Sequence, residues 1–136
     1  MNERHEGGCL CGAVRYAFTG DPLLVGLCHC RNCQKQSGAP FSLVCAVPDA
    51  AFSQSGTTSV FDDQGDSGAI VHRHFCARCG SPIVSIADAM PGLTLIKAGT
   101  LDAPEAWTPA FEVYCDRAMP WLPELAGVRH GLAGGG

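Results

Sequence analysis

The sequence predicts an all-β, β-rich fold of short strands that bound metal helps to hold, and three observations carry that expectation. Seventeen glycines and nine prolines, against 7% aromatic residues, call for frequent turns between short elements. Short apolar or alternating runs bounded by Gly, Pro, Asp and Ser recur along the chain. Seven of the nine cysteines fall into three tight clusters, a spacing that suits metal ligation. At 136 residues the chain is read as a single domain over 1–126, small enough that metal would add to its stability, followed by a Gly-rich, flexible tail over 127–136.

Strands are expected at residues 12–18, 23–28, 42–47, 58–61, 69–75, 83–86, 93–98 and 111–115. In the first, Val14, Tyr16 and Phe18 share one face. In the fifth, Ile70, His72 and His74 alternate with Val71, Arg73 and Phe75, the period of a half-buried strand. One helix is expected over 31–37, a polar stretch free of β-branched residues that Gly38 and Pro40 bring to an end. Residues 64–68 read as a surface loop.

The formal charge of −4 and only nine scattered Lys and Arg argue against a nucleic-acid partner, which would need a concentrated basic surface. The opening MNERHEGG is charged where a signal peptide needs an apolar core, and no later run nears the ~18 apolar residues of a membrane span. A soluble, cytoplasmic protein is the expectation, with reduced thiols.

The clusters are Cys9 and Cys11, then Cys28, Cys30 and Cys33, then Cys76 and Cys79. A disulfide framework fits poorly, since nine is odd and cysteines one residue apart rarely bridge. Seven ligands divide into one closed four-cysteine site and one three-cysteine site with an open position, the mark of catalytic zinc. Which clusters combine is left open by spacing alone. FCARCG at residues 75–80 reads as a zinc knuckle rather than a redox pair, because Gly80, Ser81 and Pro82 deny the helix a thioredoxin-type motif requires. In CHCRNC, an extended Cys28–Cys30 segment puts two sulfurs on one side with His29 pointing away, and the turn at Arg31 and Asn32 returns Cys33 to the same ion. His29, His72 and His74 are therefore read as packing or supporting residues, and the lone Cys45 and Cys115 as core.

GGCLCGAVRY, CHCRNCQKQSGAPF, FCARCGSPI and the closing GTLD with EVYCDRAMPWL resemble, in order and over residues 7–122, the glutathione-dependent formaldehyde-activating enzyme family, also called the centromere-protein-V/GFA domain. The resemblance implies a beta-tent fold of mostly antiparallel sheets with two zinc ions. It assigns Cys9, Cys11, Cys76 and Cys79 to a structural zinc and Cys28, Cys30 and Cys33 to a catalytic one. It implies a carbon–sulfur lyase that condenses glutathione, or another small thiol, with formaldehyde or a related aldehyde. Gln34 stands where many members carry Arg.

A zinc ion with three thiolates carries one net negative charge, so such a site acidifies water less than a three-histidine site and is better suited to accept another sulfur. Positive neighbours are then needed, and Lys35 and Arg31 are the nearest in sequence; Ser37 and the Gly38 amide are candidate donors to a developing alkoxide. Tyr114, Arg117 and Trp121 match the closing motif, with Trp121 read as a core anchor. The competing reading is a catalytically silent, zinc-stabilised binding module, which would gain little from a site lacking its fourth ligand.

Overall fold

The computed structural model describes residues 3–65 and 68–129. Asp66 and Ser67 of the expected loop, and residues 130–136 of the expected tail, lie outside the described residues. The chain runs β1 (Arg4–Gly8), β2 (Arg15–Thr19), β3 (Leu24–Cys28), α1 (Arg31–Ser37), β4 (Ser42–Pro48), β5 (Phe52–Ser55), β6 (Ser59–Gln64), β7 (Ile70–Phe75), β8 (Pro82–Ala87), β9 (Leu93–Lys97), β10 (Phe111–Val113) and β11 (Val128–Arg129). The β-rich class holds, and the helix occupies the expected residues.

Two sheets form. A three-stranded antiparallel sheet has the order β1-β2-β5, and an eight-stranded sheet the order β11-β10-β3-β4-β9-β8-β7-β6. The larger sheet is antiparallel except at β10, which runs parallel to both β3 and β11. Because side chains alternate along a strand, each sheet face carries its own set of residues. On one face of the larger sheet Cys45, Ile96 and Val84 stand side by side across β4, β9 and β8. They join Val14, Tyr16 and Phe18 of the smaller sheet's side in the core. Cys45 is fully buried, and burial pushes its thiol up to about 11.

The opposite face is the one that matters for function. Leu24, Ala46, Leu95, Ser85 and Arg73 form one row of cross-strand neighbours from β3 to β7, and Phe111, Gly26, Val44 and Lys97 form a second. Gly26 has a specific reason: a Cβ there would collide with the Phe111 ring, which lies over β3.

Four expectations need correction. Strands β1 and β5 were not foreseen, because RHEGG and FSQS lack apolar alternation; β1 is held by pairing with β2, and a Cβ at Gly7 would meet the Tyr16 hydroxyl and the Thr100 carbonyl. Strand β11 lies within the stretch read as tail and adds to the larger sheet beside β10. Cys115 is not a core strand residue: β10 ends at Val113, Tyr114 turns left-handed at φ 56°, and Cys115 opens a 3-10 turn in a half-buried position. Trp121 is 68% exposed, in a turn outside the strands; Trp107 packs on the core instead, beside His5 and Phe18.

Candidate metal centres

The sulfurs of Cys9, Cys11, Cys76 and Cys79 all lie within 4.8 Å of one another. Two turns bring them together. In the first, Gly12 at φ 82° closes the loop after β1, where the Gly12 amide donates to the Cys9 carbonyl at 3.1 Å. In the second, between β7 and β8, the Gly80 amide donates to the Cys76 carbonyl at 2.8 Å, and Gly80 takes the left-handed conformation at φ 81° that glycine adopts without strain. The Leu10 amide donates to Ser81 Oγ at 3.0 Å and ties the turns to each other. Sulfurs at the corners of a tetrahedron of ~2.3 Å radius stand about 3.8 Å apart. Cys9 and Cys11 Sγ are separated by 3.6 Å, and Cys11 and Cys76 Sγ by 3.7 Å. Amides support the anionic form: Val14 N–H donates to Cys9 Sγ at 3.2 Å, and the Ser81 hydroxyl and amide, with the Cys11 amide, bring Cys79 down to about 5.

Cys28, Cys30 and Cys33 form the second sulfur cluster, again within 4.8 Å. Cys28 ends β3, Cys30 is the extended residue that caps α1, and Cys33 lies in the helix's first turn, where its amide donates to Cys30 Sγ at 3.2 Å. Hydrogen bonds from the Cys28 and Cys30 thiols favour the thiolate of Cys33 and outweigh its burial, with Lys97 and Arg73 adding their positive charge. The same sharing holds Cys28 as the thiol, its proton bound more firmly than usual. His29 points the other way, fully buried, with Nε2 2.7 Å from Glu112 Oε1. The second Glu112 oxygen accepts from the Leu125 and Ala126 amides at 2.9 and 3.0 Å. Cys115 joins His29 and Glu112 in a third grouping of donor atoms within 4.8 Å.

Both clusters could therefore hold a metal ion, but their surroundings differ. A cavity of about 400 Å³ is lined by Cys28, Cys30 and Cys33, whereas none of Cys9, Cys11, Cys76 and Cys79 lines it. Its walls are the second face of the larger sheet together with α1 and the turn after β10. Two buried cations stand at its cysteine end. Arg73 Nε donates to Asp63 Oδ2 at 2.9 Å, and its Nη2 lies 3.9 Å from Cys33 Sγ. Lys97 Nζ donates to Ser42 Oγ at 2.9 Å, and burial draws its ammonium down from the ordinary lysine value.

The two cations nearest in sequence are placed differently. Arg31 lines the cavity but is exposed and donates to Gln34 Oε1, while Lys35 is exposed and does not line it. Ser37 Oγ donates to the Gln34 and Phe41 carbonyls and the Gly38 amide to the Gln34 carbonyl, so these donors cap the helix rather than face the cavity. Gln34 is buried; its amide donates to the His29 carbonyl at 2.7 Å and the Arg117 carbonyl at 3.1 Å, clamping α1 to β3 and the turn after β10. Tyr114 and Arg117 line the cavity; Trp121 does not. His72 lies between Asp62 and Asp88, and His74 Nδ1 is 2.9 Å from Thr58 Oγ1. Arg73 and Lys97 were missed as site residues, although Lys97 follows Leu93 and Leu95 on one strand face, the pattern of a cation drawn into an apolar wall.

The site thus defines a class: a β-rich domain with one sulfur cluster between two turns and a second opening onto a cavity, each of which could hold a metal ion. The chain belongs to the glutathione-dependent formaldehyde-activating enzyme family, whose sequence model matches residues 4–117. Among curated proteins it is similar to a provisionally named glutathione-dependent formaldehyde-activating enzyme of Halomonas elongata, 29% identical over 103 residues, covering 72% of this chain. The chain spans 66% of that relative's length. In fold it is similar to a crystal structure of a Rhodobacter sphaeroides protein, with a TM-score of 0.57, 16% identity, and coverage of 71% of this chain and 87% of the other. Among the described residues no helix is long and apolar enough to cross a membrane.

Proposed function

We propose that the protein is a zinc-dependent carbon–sulfur lyase that joins a small thiol, such as glutathione, to formaldehyde or a related aldehyde and cleaves the adduct in reverse. The observation that carries this reading is the asymmetry of the two clusters: three sulfurs face a cavity and four do not. The all-sulfur donor sets and the 3.6 to 3.7 Å sulfur separations suit zinc. On this reading Cys9, Cys11, Cys76 and Cys79 hold a structural ion, and Cys28, Cys30 and Cys33 hold one with an open position. Zinc held there supplies a soft Lewis acid that favours the thiolate form of an incoming thiol.

The addition forms one S–C bond. The carbonyl π pair moves to oxygen, and the proton released by the thiol ends on that oxygen. Negative charge thus gathers at a cluster already rich in thiolate, and the Lys97 ammonium and Arg73 guanidinium are the buried cations that offset it. They take the role that sequence proximity suggested for Lys35 and Arg31. Gln34 and the Glu112–His29 pair keep the strand and helix that carry the three cysteines in register.

The test is exchange of 13C-formaldehyde with its thiol adduct, followed by NMR on zinc-loaded wild type, Cys30→Ser and Lys97→Met. Wild type should accelerate exchange and both variants should lose the acceleration. No acceleration by wild type would overturn the reading in favour of the silent binding module, and unchanged acceleration in Cys30→Ser would take the three-cysteine cluster out of the reaction.

A further inference from the structure

Arg31, Arg73, Lys97 and Arg117 line the cavity, and no acidic side chain does so among the described residues. Two of these cations face the cysteines: Arg73 Nη2 lies 3.9 Å from Cys33 Sγ, and the Lys97 charge favours the same thiolate. Arg31 and Arg117 answer to no such group. Arg31 donates to a neutral oxygen, Gln34 Oε1. Arg117 Nε stands 3.7 Å from Asp116 Oδ2 with both side chains about half exposed, a pairing that contributes little in water. One buried side chain nevertheless fixes both residues. Gln34 holds the Arg31 guanidinium through its oxygen, and its nitrogen donates to the Arg117 carbonyl at 3.1 Å. The start of α1 and the turn after β10 are thereby joined into one wall that carries both arginines. A guanidinium has five N–H donors in a fork that matches a carboxylate, so each arginine keeps donors for a ligand.

From this we infer that Arg31 and Arg117 are specificity-determining residues that receive a carboxylate of the thiol substrate while its sulfur sits at Cys28, Cys30 and Cys33, and that an ammonium on the thiol is not recognised. The inference rests on the thiol–aldehyde reading above and adds which charge of the thiol is read, and by which residues. Glutathione satisfies it with either carboxylate. A plain mercaptoalkanoate does so too, with its methylenes along the apolar floor of Leu24, Val44, Ala46 and Leu95. An ammonium gains nothing on a wall that offers cations and no carboxylate. Acceptance of a thiol is therefore set by its anionic charge rather than by the rest of the peptide.

The experiment is titration calorimetry on the zinc-loaded protein with glutathione, its N-acetyl derivative, its dimethyl ester, and the sulfur-free analogue in which 2-aminobutyrate replaces cysteine. In wild type the N-acetyl derivative should bind no more weakly than glutathione, and the ester about tenfold more weakly, the lower end for a charged hydrogen bond given the exposure of both arginines. In Arg31→Gln with Arg117→Gln, glutathione should weaken by about the same factor and the ester hardly at all, so the two converge. Both side chains are exposed, so fold and zinc content should hold. Arg117→Gln alone, far in sequence from the three cysteines, should show part of the same convergence even where the double variant loses zinc. An ester that binds wild type as tightly as glutathione overturns the inference. So does a carboxylate preference that survives in both variants, or a tenfold loss on N-acetylation. The parent reading fails separately: if the sulfur-free analogue binds as tightly as glutathione, the carboxylate end stands and the thiol position does not.

Discussion

Replacing Arg73 with Met should weaken the ion at Cys28, Cys30 and Cys33 while sparing the four-cysteine ion. The guanidinium lies 3.9 Å from Cys33 Sγ. At that separation two unit charges interact by about 4 kcal/mol at an effective dielectric constant of ~20. Asp63, 2.9 Å from the same guanidinium, cancels part of that field. What remains should match the effect of removing a supporting partner of a metal ligand, about tenfold to a hundredfold in affinity. The substitution also takes the guanidinium from Asp63, which is at 15% side-chain exposure and keeps the neutral Asn32 amide 3.1 Å away, so Arg73→Met alone should lose stability as well. The double variant Arg73→Met with Asp63→Asn removes that complication. Competition with a chromophoric chelator reads the two ions as separate phases of release. The reasoning is refuted if the double variant melts like wild type and releases its weaker-held ion no more readily, or if both ions loosen by the same factor.

Three further outcomes follow from the same contacts. Cys76→Ser should cost both fold and metal, because its sulfur is buried at the junction of two turns, whereas Cys30→Ser should lose one ion and keep the circular dichroism spectrum; equal collapse of both would contradict the division between the centres. Glu112→Ala should destabilise by about 3–5 kcal/mol, since His29 and the Leu125 and Ala126 amides lose a buried carboxylate, and Glu112→Gln by less; denaturant melts giving equal losses would mean the carboxylate's charge is not involved. Hydrogen bonds to Asp62 and then Asp88 raise the His72 imidazole above its ordinary value. The stability it lends is therefore full below the unfolded value of about 6.5 and is lost as pH rises through the folded one, so melting temperature should fall between about pH 6 and pH 8 more in wild type than in His72→Gln. Parallel curves would show that the ion pairs are too exposed to matter.

What was legible in the sequence follows from which forces act locally. Strands β2, β4, β7, β8 and β9 face a buried surface and carry period-2 or continuous apolar runs, so they could be read directly. Strands β1 and β5 pair with β2 in a sheet where most of their own side chains meet solvent, so backbone pairing, not side-chain pattern, makes them. The helix was legible because Gly38 takes the left-handed cap its sequence position calls for, at φ 68°. The site is a harder case. Cysteines announce themselves by spacing, but the cations that face them are chosen by register across strands far apart in the chain, and proximity in sequence pointed to Lys35 on the outer side of α1. Yet the information was present in β7 and β9. Arg73 lies two residues from Val71, and Lys97 two and four from Leu95 and Leu93, so each cation shares a strand face with apolar residues. A charge is drawn onto such a face only where something compensates it, and in a chain with seven clustered cysteines the available compensation is thiolate. Alternation and charge together therefore lead from β7 and β9 to the three-cysteine end of the cavity, a step that neither motif spacing nor nearness in sequence provides.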